Sequence, residues 1–546
     1  MSDLTVAGLV GETLAKLGAD RVFGVVGSGN FHVTNALVAH GARFVATRHE
    51  GGAATAADAY ARVSGRPGLV TVHQGCGLTN AMTGIAEAAK SRTPMVVLAA
   101  EPAATALNSN FRVDQDALAR AVGAVPDRVH SAATAVADTA RAWRTAVRER
   151  RTVVLNLPLD VQAAAAEPAD PPPAPAVQPP RASDDAVTAL AHLLDRAERP
   201  VFIAGRGAVT AGAEVADLAA KCGALLATSA AARGLFAGDD WNLDVSGGFA
   251  TPVAAELIQA ADVVVAWGAS LNMWTSRHGS LIAPDTVVVQ VDLDEAAFGA
   301  HHRIDLGVCG DAGPTAVAVA AALTGHRVSY RTDTVREKLR AGSRWRDVPF
   351  DDDGDDTHID PRTLAIALDD LLPAERVVSV DSGNFMGYPS MFMSVPDHHG
   401  FCFTQSFQSI GLGLATALGA ALASPGRLPV AACGDGGFLM GIAELDTIRR
   451  LGLGMLIVIW NDEAYGAEVH HFGPAGHPIS TVVFPDTDLA AIARGHGCAA
   501  VTVRGPKDLA PVREWLAGPR DVPMVIDAKV AAGRPSWWLE EAFRGH

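Results

Sequence analysis

Apolar residues in this chain gather in short runs of roughly four to eight, the length of buried strands. Between the runs lie stretches with small and apolar residues at helical spacing. The early runs are RVFGVV, RFVAT, LVTVH and PMVVLAA, separated by segments such as GGAATAADAYARVSG. RPVFIAG, DVVVAWG and DTVVVQVD repeat the pattern in the middle of the chain. RVVSVD, LPVAACGD, GMLIVIWND and VPMVIDA repeat it towards the end. A strand that is apolar on both faces must be covered on both faces, and helices that cross over between parallel strands do this. The pattern therefore predicts an α/β chain of three doubly wound domains with parallel sheets. Such sheets bind ligands beyond the carboxyl ends of their strands, so the residues just after each run are the ones to inspect.

Two breaks interrupt the alternation. EPADPPPAPAVQPPR favours extended backbone and predicts a proline-rich linker over 167–182. The charge-dense DDDGDDTHID predicts a second, solvated linker over 346–360. Domains follow over 1–166, 183–345 and 361–546, each of ordinary size.

Composition narrows the partners. With 49% hydrophobic and 19% charged residues, general disorder is excluded. A net charge of −16 offers no field for nucleic acid or for an anionic membrane. A phosphorylated ligand must then be held by backbone dipoles or by a metal. The 6 cysteines are scattered without a C-x-x-C pair, which argues against zinc and disulfides and suits a reducing cytoplasm. MSDLTVAGLVGETLAKLGADR carries charges throughout, unlike a signal peptide. No apolar run approaches the roughly 20 residues of a spanning helix.

Three motifs sit at strand ends. In FGVVGSGN, Gly27 and Gly29 begin a dinucleotide fingerprint, with Glu50 placed like a ribose-binding acid, but His32 replaces the third glycine. A tight turn needing positive φ is the simpler account of both glycines. Arg48-His49-Glu50 closes the RFVAT run and is followed by Gly51-Gly52, which lets another group approach Glu50 closely. The third motif, ACGDGGFLMGIAELDTIRRLGLGMLIVIWNDEAYG, is the most informative. Asp435 and Asp462 lie one β-α-β step apart, so their carboxylates can share a cation. Oxygen ligands select Mg²⁺ or Ca²⁺, and Mg²⁺ keeps positions open for phosphate. The adjacent glycines expose backbone N–H groups that suit an anion. Together these features read as a metal-bridged diphosphate.

The G-D-G…N-D stretch with R-H-E upstream resembles the thiamine diphosphate (ThDP) enzymes of the acetolactate synthase, pyruvate oxidase and benzoylformate decarboxylase group. The likeness spans nearly the whole chain. It implies pyrimidine-binding, central and diphosphate-binding domains, in that order. Asp435, Asp462 and the backbone carbonyl of Ala464 would bind Mg²⁺, although the family usually has Asn where this chain has Asp462. Gly434, Gly436 and Gly437 would cradle the diphosphate, with Gly383-Asn384 as a second loop. Glu50 would hydrogen-bond the pyrimidine ring, and Ile410 would prop the bent cofactor. Ser28 and His73 match a carboxylate-binding serine and an active-site histidine of benzoylformate decarboxylase. AYGAEVHHF resembles a loop of benzaldehyde lyase, which turns His470 towards substrate. GASLNMWTSRHG lacks the Arg/Asp-rich run of acetolactate synthases, which speaks against FAD and against acetolactate synthesis itself.

The implied activity is Mg²⁺- and ThDP-dependent decarboxylation of a 2-oxo acid, with the enamine protonated or added to an aldehyde or ketone. One alternative is a benzaldehyde lyase-like C–C lyase or acyl transferase that does not decarboxylate. Another, from a different class, is a non-catalytic ThDP- or dinucleotide-binding module. In the family, Glu50 and the diphosphate motif meet across a subunit interface, so the resemblance implies a homodimer or homotetramer. The aromatic tail SWWLEEAFRGH is expected to dock on the surface rather than close over a site.

Overall fold

Each strand-like run becomes a strand, and the strands gather into three six-stranded sheets whose recorded pairings are all parallel. The computed structural model describes residues 4–173 and 175–542, so the outermost ends of the expected first and third domains, and Ala174 in the linker, lie outside the described residues. Counting strands along the chain within each sheet, the first and third sheets share the order 2-1-3-4-6-5. The middle sheet has the order 3-2-1-4-5-6 of dinucleotide-binding folds. Every residue of strands Gly68–Val72, Val263–Trp267 and Leu456–Asn461 is buried. That is the burial expected of parallel strands covered on both faces.

The first and third domains share one hydrophobic core, and a pair of helices makes the joint. Helix Glu50–Ser64 carries alanines at 53, 54, 56, 57 and 59, all fully buried. It ends at Gly65, whose φ of +70° no β-carbon favours. Helix Gly413–Ala423 lies against it with Gly419 at the crossing. A β-carbon on Gly419 would collide with the Ala56 carbonyl oxygen, so the two backbones touch.

A buried ion cluster stitches the same two domains. Arg62 Nε donates to Asp58 at 2.9 Å, and its Nη atoms donate to Glu87 at 2.7 Å and to the Phe403 carbonyl at 2.9 Å. Glu87 also accepts from the backbone N–H of Ser406 at 3.1 Å and of Phe407 at 2.6 Å. Burial opposes the Glu87 charge, but Arg62 and these two N–H groups outweigh it and hold its carboxyl below the usual range.

Two expectations need correction. The acidic linker is not simply solvated: Asp360 is 1% exposed and caps helix Pro361–Leu371 through the Arg362 N–H at 2.7 Å. Its charge pairs with the Arg362 guanidinium, which also reaches Asp353. The aromatic tail does not rest on the surface either. Trp538 is 1% exposed inside the core of the third domain, over Gly387, where a β-carbon would meet its ring at 2.5 Å. Residues 543–546 of the tail lie outside the described residues.

Candidate active site

Two clusters form at the strand ends expected from the sequence, one on the first domain and one on the third. On the first, Asn30 holds the FGVVGSGN turn, accepting from the Gly27 N–H at 2.8 Å and donating to the Val25 carbonyl and Thr71 Oγ1. Gly27 and Gly29 do not adopt positive φ, contrary to expectation. They are glycine because the His73 ring occupies the space. A β-carbon on either would lie 2.9 Å from it.

The Gly29 N–H donates to His73 Nδ1 at 3.1 Å. An accepting Nδ1 carries no proton, so the neutral ring keeps its proton on Nε2. Phe111 packs edge-on against the ring at 5.1 Å. Ser28, between the two glycines, is exposed. The partial dinucleotide fingerprint is therefore a seat for His73, with Ser28 beside it.

Glu50 opens its helix and is 9% exposed. Asn80 Nδ2 donates to Glu50 Oε2 at 3.1 Å, and a β-carbon on Gly77 would touch Oε1 at 3.4 Å. Gly77 also abuts His73, which puts Ser28, His73 and Glu50 in one neighbourhood. The group admitted by Gly52 is Glu444 of the third domain. Glu444 Oε1 accepts from the backbone N–H of Arg48 and of His49, each at 3.1 Å. Asp446 pairs with Arg48, and Arg450 donates to the Ala46 carbonyl at 2.6 Å. The loop that presents Glu50 is thus held from the third domain.

On that domain Gly434 pairs with Trp460 across adjacent strands, which brings Asp435 and Asp462 to neighbouring strand ends. Burial raises Asp435 to about 6. Burial, then the charge of Asp435, raises Asp462 to about 7. Asn384 Nδ2 lies 3.4 Å from Asp462 Oδ2, and a β-carbon on Gly466 would collide with that oxygen and meet Asn384 at 2.9 Å. Glu463, at φ +57°, turns the chain so that Ala464 follows. Asn461 is no ligand: it is buried, donates to Asp527 at 2.8 Å and accepts from the Glu463 N–H.

A residue missed in the sequence organises this cluster. Asp381, fully buried, accepts from the N–H groups of Ser382, Gly411 and Leu412 at 2.8, 3.1 and 3.1 Å. It ties the Gly383-Asn384 loop to the Ile410 loop. Gly437 and Gly413 are glycine because a β-carbon on either would strike its side chain. Burial raises Asp381 to about 6. The available sign was an Asp between a strand and S-G-N.

These residues fit a diphosphate held through a cation. Among the described residues no three His, Cys, Asp or Glu side chains cluster as metal ligands. A cation on the carboxylate pair would take its remaining ligands from backbone and ligand oxygens, a donor set that suits Mg²⁺ with phosphate. Gly466 and Asn384 leave no room for larger side chains beside the pair. His470 lies on helix Gly466–Phe472, which starts beside this second cluster, and burial lowers its pKa.

Three family profiles match in order: the thiamine pyrophosphate enzyme N-terminal TPP binding domain over 4–122, the central domain over 187–319 and the C-terminal TPP binding domain over 381–528. A probable 2-ketoarginine decarboxylase of Pseudomonas aeruginosa is 30% identical over 524 residues, 93% of this chain and 90% of the relative. A sulfoacetaldehyde acetyltransferase of Castellaniella defragrans is 28% identical, covering 92% of this chain and 88% of its own. An acetolactate synthase large subunit of Parasynechococcus marenigrum is 27% identical, covering 96% and 87%.

Proposed function

The chain belongs to the thiamine pyrophosphate enzyme family, and from that premise we propose that it decarboxylates a 2-oxo acid with ThDP and Mg²⁺. The product is then protonated or joined to an aldehyde or ketone acceptor. The observation that carries this reading is the half-buried Asp435–Asp462 pair, set at neighbouring strand ends beside Asn384. The alignment with a decarboxylase over 93% of the chain supports the reaction type.

In this reading Asp435, Asp462 and the Ala464 carbonyl hold Mg²⁺. Gly434, Gly436, Gly437, Gly383 and Asn384 hold the diphosphate oxygens, and Ile410 supports the cofactor. Glu50 exchanges a proton with the pyrimidine nitrogen. When bound, ThDP supplies the carbon nucleophile and the electron sink that loss of CO₂ requires. Ser28 donates to the substrate carboxylate. His73 holds a transferable proton on Nε2, and His470, kept neutral by burial, is a second proton carrier.

Exposed apolar side chains beside both clusters, Phe31 and Phe111 on one and Leu439 and Met440 on the other, support a second copy covering them. In this reading the chain works as a homodimer or homotetramer. No described helix is long and apolar enough to cross a membrane.

The alignments with sulfoacetaldehyde acetyltransferases support a second reading, acyl transfer without decarboxylation. One experiment separates the two. The purified chain is given a panel of 2-oxo acids, including 2-ketoarginine, with and without aldehydes, and separately sulfoacetaldehyde with an acyl acceptor such as inorganic phosphate. CO₂ from a 2-oxo acid supports decarboxylation; turnover of sulfoacetaldehyde alone supports acyl transfer. In either case Glu50→Gln should keep ThDP bound and lower turnover by about 10²–10⁴-fold. Unchanged turnover would remove Glu50 from the mechanism.

A further inference from the structure

Helix Gly413–Ala423 lacks a cap of its own. The first turn of a helix leaves backbone N–H groups without intrahelical partners, and a Ser, Thr, Asp or Asn at the N-cap normally accepts from them. Here the N-cap is Leu412, and no side chain of the helix start makes that bond. Residues 413–421 are all buried, so water is a poor substitute.

Asp381 supplies the cap from another element. It follows strand Arg376–Val380, and its own N–H donates to the Ala432 carbonyl at 2.9 Å, which fixes its backbone at the end of the sheet. Its Oδ2 accepts from the Gly411 N–H and its Oδ1 from the Leu412 N–H, both at 3.1 Å. Oδ1 also accepts from the Ser382 N–H at 2.8 Å. A carboxylate here answers the partial positive charge of the helix start as well as its N–H groups.

Three segments therefore meet on one side chain. Ser382 leads into Gly383 and Asn384, and Gly411 follows Ile410. Gly437 closes from a third side, where a β-carbon would strike Oδ2. Each segment carries a group assigned above to the cofactor, yet Asp381 itself is fully buried. Packing also confines it: a β-carbon on Gly413 would lie 2.7 Å from Asp381 Cβ and 2.8 Å from Cys433 Sγ.

We propose that Asp381 is a positioning residue of the cofactor site, holding the backbone at 383–384, 410–412 and 437 in its binding arrangement before the cofactor arrives. The proposal rests on the reading of the site as one for ThDP and Mg²⁺. Asp381 acts on the fraction of chains whose loops are already placed. A ligand that binds only that fraction has its apparent dissociation constant raised in inverse proportion. Once the site is filled, the loops are held from both sides and turnover is spared.

The test compares the full chain with Asp381→Asn, which keeps the shape but sets an amide N–H₂ against one of the backbone donors. Without ThDP, amide hydrogen exchange over 404–412 should quicken about tenfold, while strand Leu456–Asn461 exchanges as before. In Mg²⁺ buffer the ThDP concentration for half-saturation, read by calorimetry, should rise about tenfold. Turnover at saturating ThDP should stay within about twofold of the parent. Gly413→Ala, which pushes on Asp381 without altering its charge, should shift half-saturation the same way, and it serves if the first variant does not fold. Leu218→Ala, a cavity in the core of the middle domain, should lower the melting temperature and leave half-saturation unchanged. Unchanged half-saturation in both Asp381→Asn and Gly413→Ala would overturn the proposal. An equal rise in Leu218→Ala would also overturn it, since lost stability alone would then suffice. A fall in saturating turnover as large as the loss of affinity would overturn the positioning role and put Asp381 in the chemistry. Failure of the parent chain to bind ThDP would overturn the function proposed above, whereas unchanged exchange over 404–412 would overturn only the role given to Asp381.

Discussion

Asp435 and Asp462 occupy neighbouring strand ends where neither charge is well solvated, so each holds its proton to a pH near neutrality. Their raised values fix the sign of a pH effect. A carboxyl raised from an unfolded value of about 4 stabilises the fold below that value and loses the contribution as pH climbs through the folded value. For this pair the loss runs from about 4 up to about 7. If the pair holds Mg²⁺ as proposed, the ion competes with the same protons, and its binding strengthens over the same interval. The gap in melting temperature between chain with ThDP and Mg²⁺ and chain without should widen between about pH 5.5 and pH 8. A gap that stays constant would mean that these carboxylates do not hold the cation. Residue types were legible in the sequence at this scale, but not always their causes. Gly27 and Gly29 stood out as a turn, yet what requires them is the His73 ring, 44 or more residues away along the chain. Asp381 escaped notice because a single buried Asp has no motif, and its role exists only through two loops that the fold brings together.

At the scale of elements, alternation of apolar runs and helical segments made the three sheets readable, since burial on both faces leaves a continuous apolar strand. The joint between domains left a fainter trace. Helices Glu50–Ser64 and Gly413–Ala423 are rich in alanine and glycine, which by composition marks only good or poor helix formers. Their contact depends on Gly419 meeting the Ala56 backbone. Gly419→Val should therefore destabilise the chain by about 1–3 kcal/mol in denaturant unfolding, because neither backbone can yield to the added carbons. Gly426→Ala, at a position with nothing within 4 Å, should stay within about 0.5 kcal/mol of the parent. Equal effects at both positions would mean that the helices separate without cost. The ion cluster acts on the same joint. Arg62 and Glu87 lie 25 residues apart and close only when helix Cys76–Lys90 and the 403–407 loop converge.

Across the whole molecule, the first and third sheets share one strand order, and each presents one of the two clusters at its strand ends. Within one chain the recorded partners of Glu50 come from its own domain, while Glu444 grips the loop beside it rather than the carboxylate. Exposed apolar side chains include Phe31 at 52% beside one half and Met440 at 57% beside the other. A site assembled from the first domain of one copy and the third domain of another has a signature that a site within one chain lacks. Glu50→Gln and Asp435→Ala chains should each be nearly inactive alone. Dissociated, mixed in equal amounts and reassociated, they pair at random, and half of the pairs join unlike chains. In such a pair one site collects both substitutions and the other collects none. Activity should therefore recover to about a quarter of the parent value, read as turnover per chain. A mixture no more active than the sum of its parts would place both halves of the site within a single chain.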